Sequence, residues 1–422
     1  MKTISINQLY VINKELSELG YCLIKNDSGV LIYQKGNSEI VFSLSDYIDI
    51  KVKTVLPNYD NCIINVVDSI RNFYGESPVY KTNEVLDKIL CEKEYKHIAI
   101  MLLDGMGSYI LRKNGLRSSV LTKNKLMDIS AVFPPTTACA IPALSSGLLP
   151  RKTGWVGWSN YFEEIDKQVV MFRNTDYFSG EKLDFNVNDK LPYKKFWDNF
   201  DTYSFELGPI WTESSCPTFD VMCEKYLEEI KKHDKTFCYM YWDNPDYTMH
   251  EHGSYSLISK GALNKLEKTL NEFYEKMDED TLVIVTADHG HIDCKAIYLS
   301  NFIDILSCLK RLPSNEGRCT FFSVKENDEK RFVELFNAYF GSYFTLMTKE
   351  EFIDGGYLGN DVPYNQRLDS FIGDYVSIAK EHYYFNYNPN SFADSDEEFL
   401  MKSHHAGMTA NEMIVPLIIL KK

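Results

Sequence analysis

Five short windows of this sequence combine residue types that ligate metals or attack electrophiles. The first is LLDGMG, where Asp104 precedes Gly105 and Gly107, residues that permit a tight turn and close backbone approach. The second is FPPTTACAIPALSSG, where Thr136 or Thr137 can cap a helix whose free N–H groups and positive dipole end face outward. A Thr hydroxyl there can act as a nucleophile once a base or a metal ionises it. Pro142 is predicted early in that helix and Gly147 at its end. The third is WDNPDYTMHEHG, with Asn244 as a cap and Pro245 at the first helical position. Asp246 and His250 then lie four apart on one helix face, where a carboxylate and an imidazole can bind one divalent metal, with Asp243 and His252 as competitors.

The fourth window is TADHGHID. Asp288 and His289 leave a strand together and Gly290 turns the chain, with His291 and Asp293 expected outside the set of direct metal ligands. The fifth, SHHAGMTANEM, holds His404 and His405 before the last strand, and TANE reads as a capping box. Each window alone also reads as an ordinary turn, cap or loop. Together, three Asp and three His at strand ends are the right inventory for two zinc-class ions with one open position each.

The elements that must position these residues are also legible. HIAIMLLD, TFCYMYWD and TLVIVTADHG are continuous apolar runs, which fits strands buried on both faces of a parallel sheet covered by helices. KGALNKLEKTLNEFYEKM, at about 260–277, is predicted to be a helix between two of them, and MIVPLIILKK a final strand. HIAIMLLD and TLVIVTAD end in Asp, and open α/β sheets gather ligands at the carboxyl ends of their strands. The expected fold is therefore α/β, with a mostly parallel central sheet and helices on both faces. Residues 1–80 read as a small N-terminal α+β appendage, with a helix near 7–19 and two strands around a KGNS turn. Residues 81–422 read as the catalytic domain, and about 296–400, rich in Tyr, Phe and Asn, as a cap inserted in it.

Composition bounds the function. In 422 residues, 45 Lys and Arg face 60 Asp and Glu, a net charge of -15, which argues against bulk nucleic acid as a partner. An anionic substrate then needs cations supplied locally. The ten cysteines contain no CxxC pair, which fits reduced thiols and a cytoplasmic setting. No apolar run reaches the roughly 20 residues of a membrane span, so no membrane association is expected.

Taken in order, the five windows resemble the alkaline phosphatase superfamily, and within it the type I phosphodiesterase/nucleotide pyrophosphatase family, over about residues 95–175, 236–295 and 400–420. The resemblance implies an alkaline phosphatase-like catalytic domain. It implies one zinc on Asp104, Thr137, Asp288 and His289, and a second on Asp246, His250 and His405, with Mn2+ as the alternative metal. It selects Thr137 over Thr136 as the fifth position of FPPTT, and His405 over His404 because Ala406-Gly407 follows. It implies a covalent phosphothreonine and a small-molecule phosphate ester as substrate. The family's His-Gly after the nucleophile helix is Thr153-Gly154 here, and Trp158 stands near the expected phosphate-holding Asn, which leaves Asn160 as the candidate substrate-binding residue. The absence of a cation in TTACAIPALSSG favours phosphodiester or pyrophosphate bonds, nucleotide-type substrates foremost. A phosphomonoesterase or phosphonate hydrolase on the same site is the alternative, and a non-catalytic binding protein the third. Cys139-Ala140-Ile141-Pro142 does not match the C-x-P-x-R spacing of a sulfatase, and the mutases of the superfamily typically use Ser.

Overall fold

The three apolar runs form the middle of a six-stranded sheet in this computed structural model, which describes residues 2–48, 50–115, 119–388 and 400–422. The strand order is Tyr203–Leu207, Thr236–Trp242, His97–Leu103, Thr281–Thr286, Ile414–Lys421, Lys125–Ser130. Only Ile414–Lys421 runs against its neighbours. Every residue of His97–Leu103 and Thr281–Thr286 is buried, so both faces of the sheet are covered. The cover includes the helices Ile63–Phe73, Phe219–Ile230 and Leu257–Lys276, whose apolar residues share one core with the strands.

Register explains why the acidic residues meet. Leu103 pairs with Trp242, and Leu102 with Thr286. The chain segments carrying Asp104, Asp246 and Asp288 therefore leave the sheet at the same edge, the carboxyl end of its parallel strands.

Two expected boundaries are corrected. The N-terminal sheet unit comprises the strands Lys2–Ile4, Cys22–Asp27, Val30–Lys35 and Ser38–Leu44 with the helix Leu9–Glu18. Ile63–Phe73, assigned from sequence to the same appendage of residues 1–80, belongs instead to the central core, where Val66 and Ile70 are buried. Nor is the cap confined to residues 296–400, of which 389–399 lie outside the described residues. Its seven-stranded sheet is completed by Ser159–Phe162, Lys167–Val170 and Thr175–Asp176 from far earlier in the chain. The N-terminal unit packs on this cap rather than standing free. Ile6, Leu9, Leu31 and Phe42 share an apolar cluster with Phe302, Phe336 and Phe340, and Asn7 bonds the backbone of Ala296 and Tyr298.

Among the described residues no helix is long and apolar enough to cross a membrane. All ten cysteines are free.

Candidate active site

Asp104 ends the His97–Leu103 strand, and its backbone ties the two neighbouring strand ends together. Its N–H donates to Trp242 O (2.9 Å), and its carbonyl accepts from Asp246 N–H (3.1 Å). Gly105, at φ +71°, turns the chain where a Cβ would lie 3.0 Å from Asp246 and from His291, so only glycine suits both the dihedral and the space. Its N–H donates to Asp288 Oδ1 (3.1 Å), which also accepts from His289 N–H (2.9 Å). Asp288 Oδ2, fully buried, accepts no hydrogen bond from the described residues, and His289 Nε2 lies 3.4 Å from it.

Thr137 opens the helix Thr137–Ser146, after Thr136 in extended conformation and before Gly147, which closes the helix at φ +65°. Pro142 sits at the sixth helical position, later than predicted. The two threonines face different partners. Thr136 is buried and donates its hydroxyl to Glu316 Oε1 (2.7 Å), so it does not cap the helix with its side chain. Thr137 is only partly buried; its Oγ1 lies 3.2 Å from Asp104 Oδ2 and 3.2 Å from His289 Nε2.

Asp246 begins the helix Asp246–His252, with Pro245 as the cap residue in place of the expected Asn244. The spacing of four brings His250 Nε2 to 3.4 Å from Asp246 Oδ1, as the helix periodicity requires. His405 arrives from the other end of the chain, with its Nε2 3.8 Å from the same oxygen. It is placed by Pro135, whose carbonyl accepts from Ala406 N–H (3.0 Å) and faces His405 Nδ1 (3.2 Å). A buried clamp holds the turn that follows. Arg318 makes a bidentate pair with Glu412, and Glu412 accepts from Gly407 N–H (2.7 Å) and, completing the predicted capping box, from Thr409 N–H (3.1 Å).

The imidazoles share one orientation. Nδ1 faces a carbonyl in His250 (Ser403, 2.9 Å), in His289 (Gly290, 3.1 Å) and in His405 (Pro135, 3.2 Å). A carbonyl only accepts, so Nδ1 carries a proton, and in the neutral ring Nε2 presents a bare lone pair to the carboxylates. His404 is the reverse: its Nδ1 accepts from His405 N–H (2.8 Å). Burial, then the neighbouring imidazoles, holds both His404 and His405 well below the usual histidine range. Asp104 is pushed well above the usual carboxylate range by its burial and by Asp288 and Asp246 beside it. Burial raises the Asp246 carboxyl, but the charge that His250, His291 and His289 carry when protonated outweighs it and holds Asp246 below that range.

These features fit divalent cations. Two groups have ligand atoms all within 4.8 Å of one another: Asp104, Asp288 and His289, and Asp246, His289, His291 and His405. No Lys or Arg among the described residues forms an ion pair with Asp104, Asp246 or Asp288. Crowded carboxylates, imidazole nitrogens turned toward them and an Asp288 Oδ2 that accepts no hydrogen bond are what bound cations would satisfy.

The type I phosphodiesterase/nucleotide pyrophosphatase family matches residues 217–406, a span that takes in Asp246, His250, Asp288, His289 and His405 but neither Asp104 nor Thr137. The chain resembles the type I phosphodiesterases/nucleotide pyrophosphatases of the alkaline phosphatase superfamily. The match is thus to a family of metal-dependent hydrolases. Murine ectonucleotide pyrophosphatase/phosphodiesterase 5 has a similar fold, at 18% identity and a TM-score of 0.50, over 76% of this chain and 87% of that one. An inactive threonine-to-alanine variant of the same murine protein, in complex with AMP, matches with the same identity and TM-score over 77% of this chain. No curated protein matches the chain by sequence.

Some residues depart from expectation. Asn160 is fully buried and neither atom of its amide has a partner, so no described interaction links it to Thr137. At Trp158 it is the backbone that approaches the site: its N–H donates to Glu316 Oε1 (2.8 Å). Trp155 and Phe162 are core residues. Two contributors, Tyr241 and Glu316, are not read from sequence, and a third, His291, is expected elsewhere. Tyr241 donates its hydroxyl to Asp104 Oδ2. Glu316, pushed up to about 7 by burial, joins the Thr136 turn to Trp158. His291 lies against Asp246 Oδ1, inside the cluster rather than beyond it. Tyr241 and His291 stand inside YWDNPD and ADHGH, so their windows were a signal; Glu316 has none.

Proposed function

We propose that the chain cleaves phosphodiester or pyrophosphate bonds of small, nucleotide-type phosphate esters, with Thr137 as nucleophile. One divalent ion would be held by Asp104, Thr137, Asp288 and His289 and a second by Asp246, His250 and His405, with zinc preferred and manganese the alternative. The observation that carries this reading is the Thr137 hydroxyl, partly exposed at a helix start and 3.2 Å from both Asp104 Oδ2 and His289 Nε2. Bound cations would supply the positive charge that favours the alkoxide and neutralises phosphoryl oxygens.

The remaining work falls to the chain. Thr137 Oγ forms a bond to phosphorus as the bond to the leaving oxygen breaks, and the helix start favours the negative charge. Water then hydrolyses the phosphothreonine and restores the hydroxyl. Asp104 is fixed by Tyr241, and His289 by its bond to Gly290, so neither must reorganise. The absence of a Lys or Arg from TTACAIPALSSG, beside the nucleophile, favours a diester over the more highly charged monoester. The net charge of -15 supports a small substrate over bulk nucleic acid, and ten free cysteines support a cytoplasmic setting.

The test is hydrolysis of an aryl nucleotide diester with and without chelator, beside an aryl phosphate. Faster turnover of the monoester would favour the phosphomonoesterase reading. Full activity in a Thr137→Ala variant would sink the nucleophile assignment.

A further inference from the structure

We propose that His291 Nε2 is itself a metal donor, which makes the Asp246 side of the site a four-residue set of Asp246, His250, His291 and His405. This rests on the metal-dependent reading above.

Ser403 decides which nitrogen of His291 carries the proton. Ser403 Oγ lies 2.9 Å from the Met249 carbonyl, which only accepts, so the serine hydroxyl proton is committed there. His291 Nδ1 lies 2.8 Å from the same Oγ. With its own proton spent, Ser403 can only accept, so Nδ1 of His291 carries the imidazole proton. A neutral imidazole has one N–H, and Nε2 is therefore bare.

That nitrogen is turned to Asp246 Oδ1. A neutral imidazole nitrogen and a carboxylate oxygen turned to one another are donors that one cation can share. His250, His289 and His405 present the same pattern, with Nδ1 donating to a fixed acceptor and Nε2 turned to the carboxylates. His404, whose Nδ1 accepts a hydrogen bond, does not. The local fold also enforces the placement. Ile292 pairs with His404 and Asp293 with Ser403, so the segment that delivers His405 also delivers the hydroxyl that orients His291. His291 is completely buried, and its ring centroid is 4.7 Å from that of His250 and 5.2 Å from that of His405.

The experiment is NMR of the full chain carrying 15N-histidine and loaded with 113Cd2+ alone. One-bond 113Cd–15N couplings are expected at Nε2 of His250, His289, His405 and His291, with His404 uncoupled. Couplings at the first three but not at His291 would overturn this assignment while leaving the site reading intact. Couplings at none would overturn both. As a second measurement, His291→Gln is expected to weaken one bound Zn2+ by more than about 100-fold in competition with a chelator, beyond the typical effect of losing an orienting group. Wild-type affinity in that variant would also overturn the proposal.

Discussion

Thr136 gives its hydroxyl to Glu316 at 2.7 Å, while its neighbour Thr137 keeps its own hydroxyl for Asp104 and His289, each at 3.2 Å. Adjacent residues of one type thus have separate duties, and substitution should separate them. Thr137→Ala is expected to lose roughly 10³-fold or more in kcat on an aryl nucleotide diester, as removal of a nucleophile does elsewhere. Thr136→Val, which removes one bond to a buried carboxyl, should cost about 1–3 kcal/mol of stability and much less of kcat. Equal loss of kcat in both variants would contradict the division.

Glu316 should set a pH dependence of stability. Its folded pKa of about 7 lies above the ordinary 4.5, because burial penalises the charge. Between those values the folded chain holds a proton that the unfolded chain has released. The stabilisation is complete below about 4.5 and is lost progressively as pH rises from there through 7, on the order of 3 kcal/mol. Glu316→Gln keeps an acceptor for Thr136 and Trp158 but cannot titrate. Denaturant unfolding of the chelated protein from pH 4.5 to 8 should show this falling component in the wild type and not in the variant.

These two cases mark how far spacing along a chain can reach. The strands His97–Leu103, Thr236–Trp242 and Thr281–Thr286 were legible because burial on both faces demands unbroken apolar runs. The edge strands Lys125–Ser130 and Tyr203–Leu207 were not, since partial exposure leaves them mixed in composition. Asp246 and His250 were paired by helix periodicity, and Asp288 and His289 by adjacency. Glu316 is 180 residues from Thr136, and nothing in SNEGR records that contact. Ile63–Phe73 looked like part of the appendage because its apolar face does not say which core it covers. His291 is expected from sequence to lie outside the direct ligands; what turns its ring into the cluster is Ser403, 112 residues away.

Removing metal should destabilise as well as inactivate. Without cations, Asp104 and Asp288 are buried together with no Lys or Arg to offset them. An ion at about 100 times its Kd should add about 2.7 kcal/mol of stability per site. A chelator is expected to abolish diester hydrolysis and lower Tm, with both restored by added Zn2+. Asp288→Asn, which weakens the ligand at the oxygen that accepts no hydrogen bond, should shrink the Zn2+-dependent rise in Tm. An unchanged Tm on chelation would argue against bound metal.

The Arg318–Glu412 clamp carries the last expectation, because it is remote from the reacting atoms yet shapes the metal site. The pair is fully buried, and Arg318 also donates to Glu381 O and Tyr383 O. Glu412 in turn holds Gly407 and Thr409, fixing the turn in which Ala406 takes φ +84° directly after His405. Removing one partner of such a pair leaves an uncompensated buried charge and costs roughly 3–5 kcal/mol. Arg318→Met should therefore lower stability by about that amount, and Arg318→Met/Glu412→Gln by less than either single change. If the clamp also sets His405, the double variant should fold yet bind Zn2+ about 10- to 100-fold more weakly, as loss of an orienting partner does in other metal sites. Wild-type Zn2+ affinity in a folded double variant would confine the clamp to stability alone.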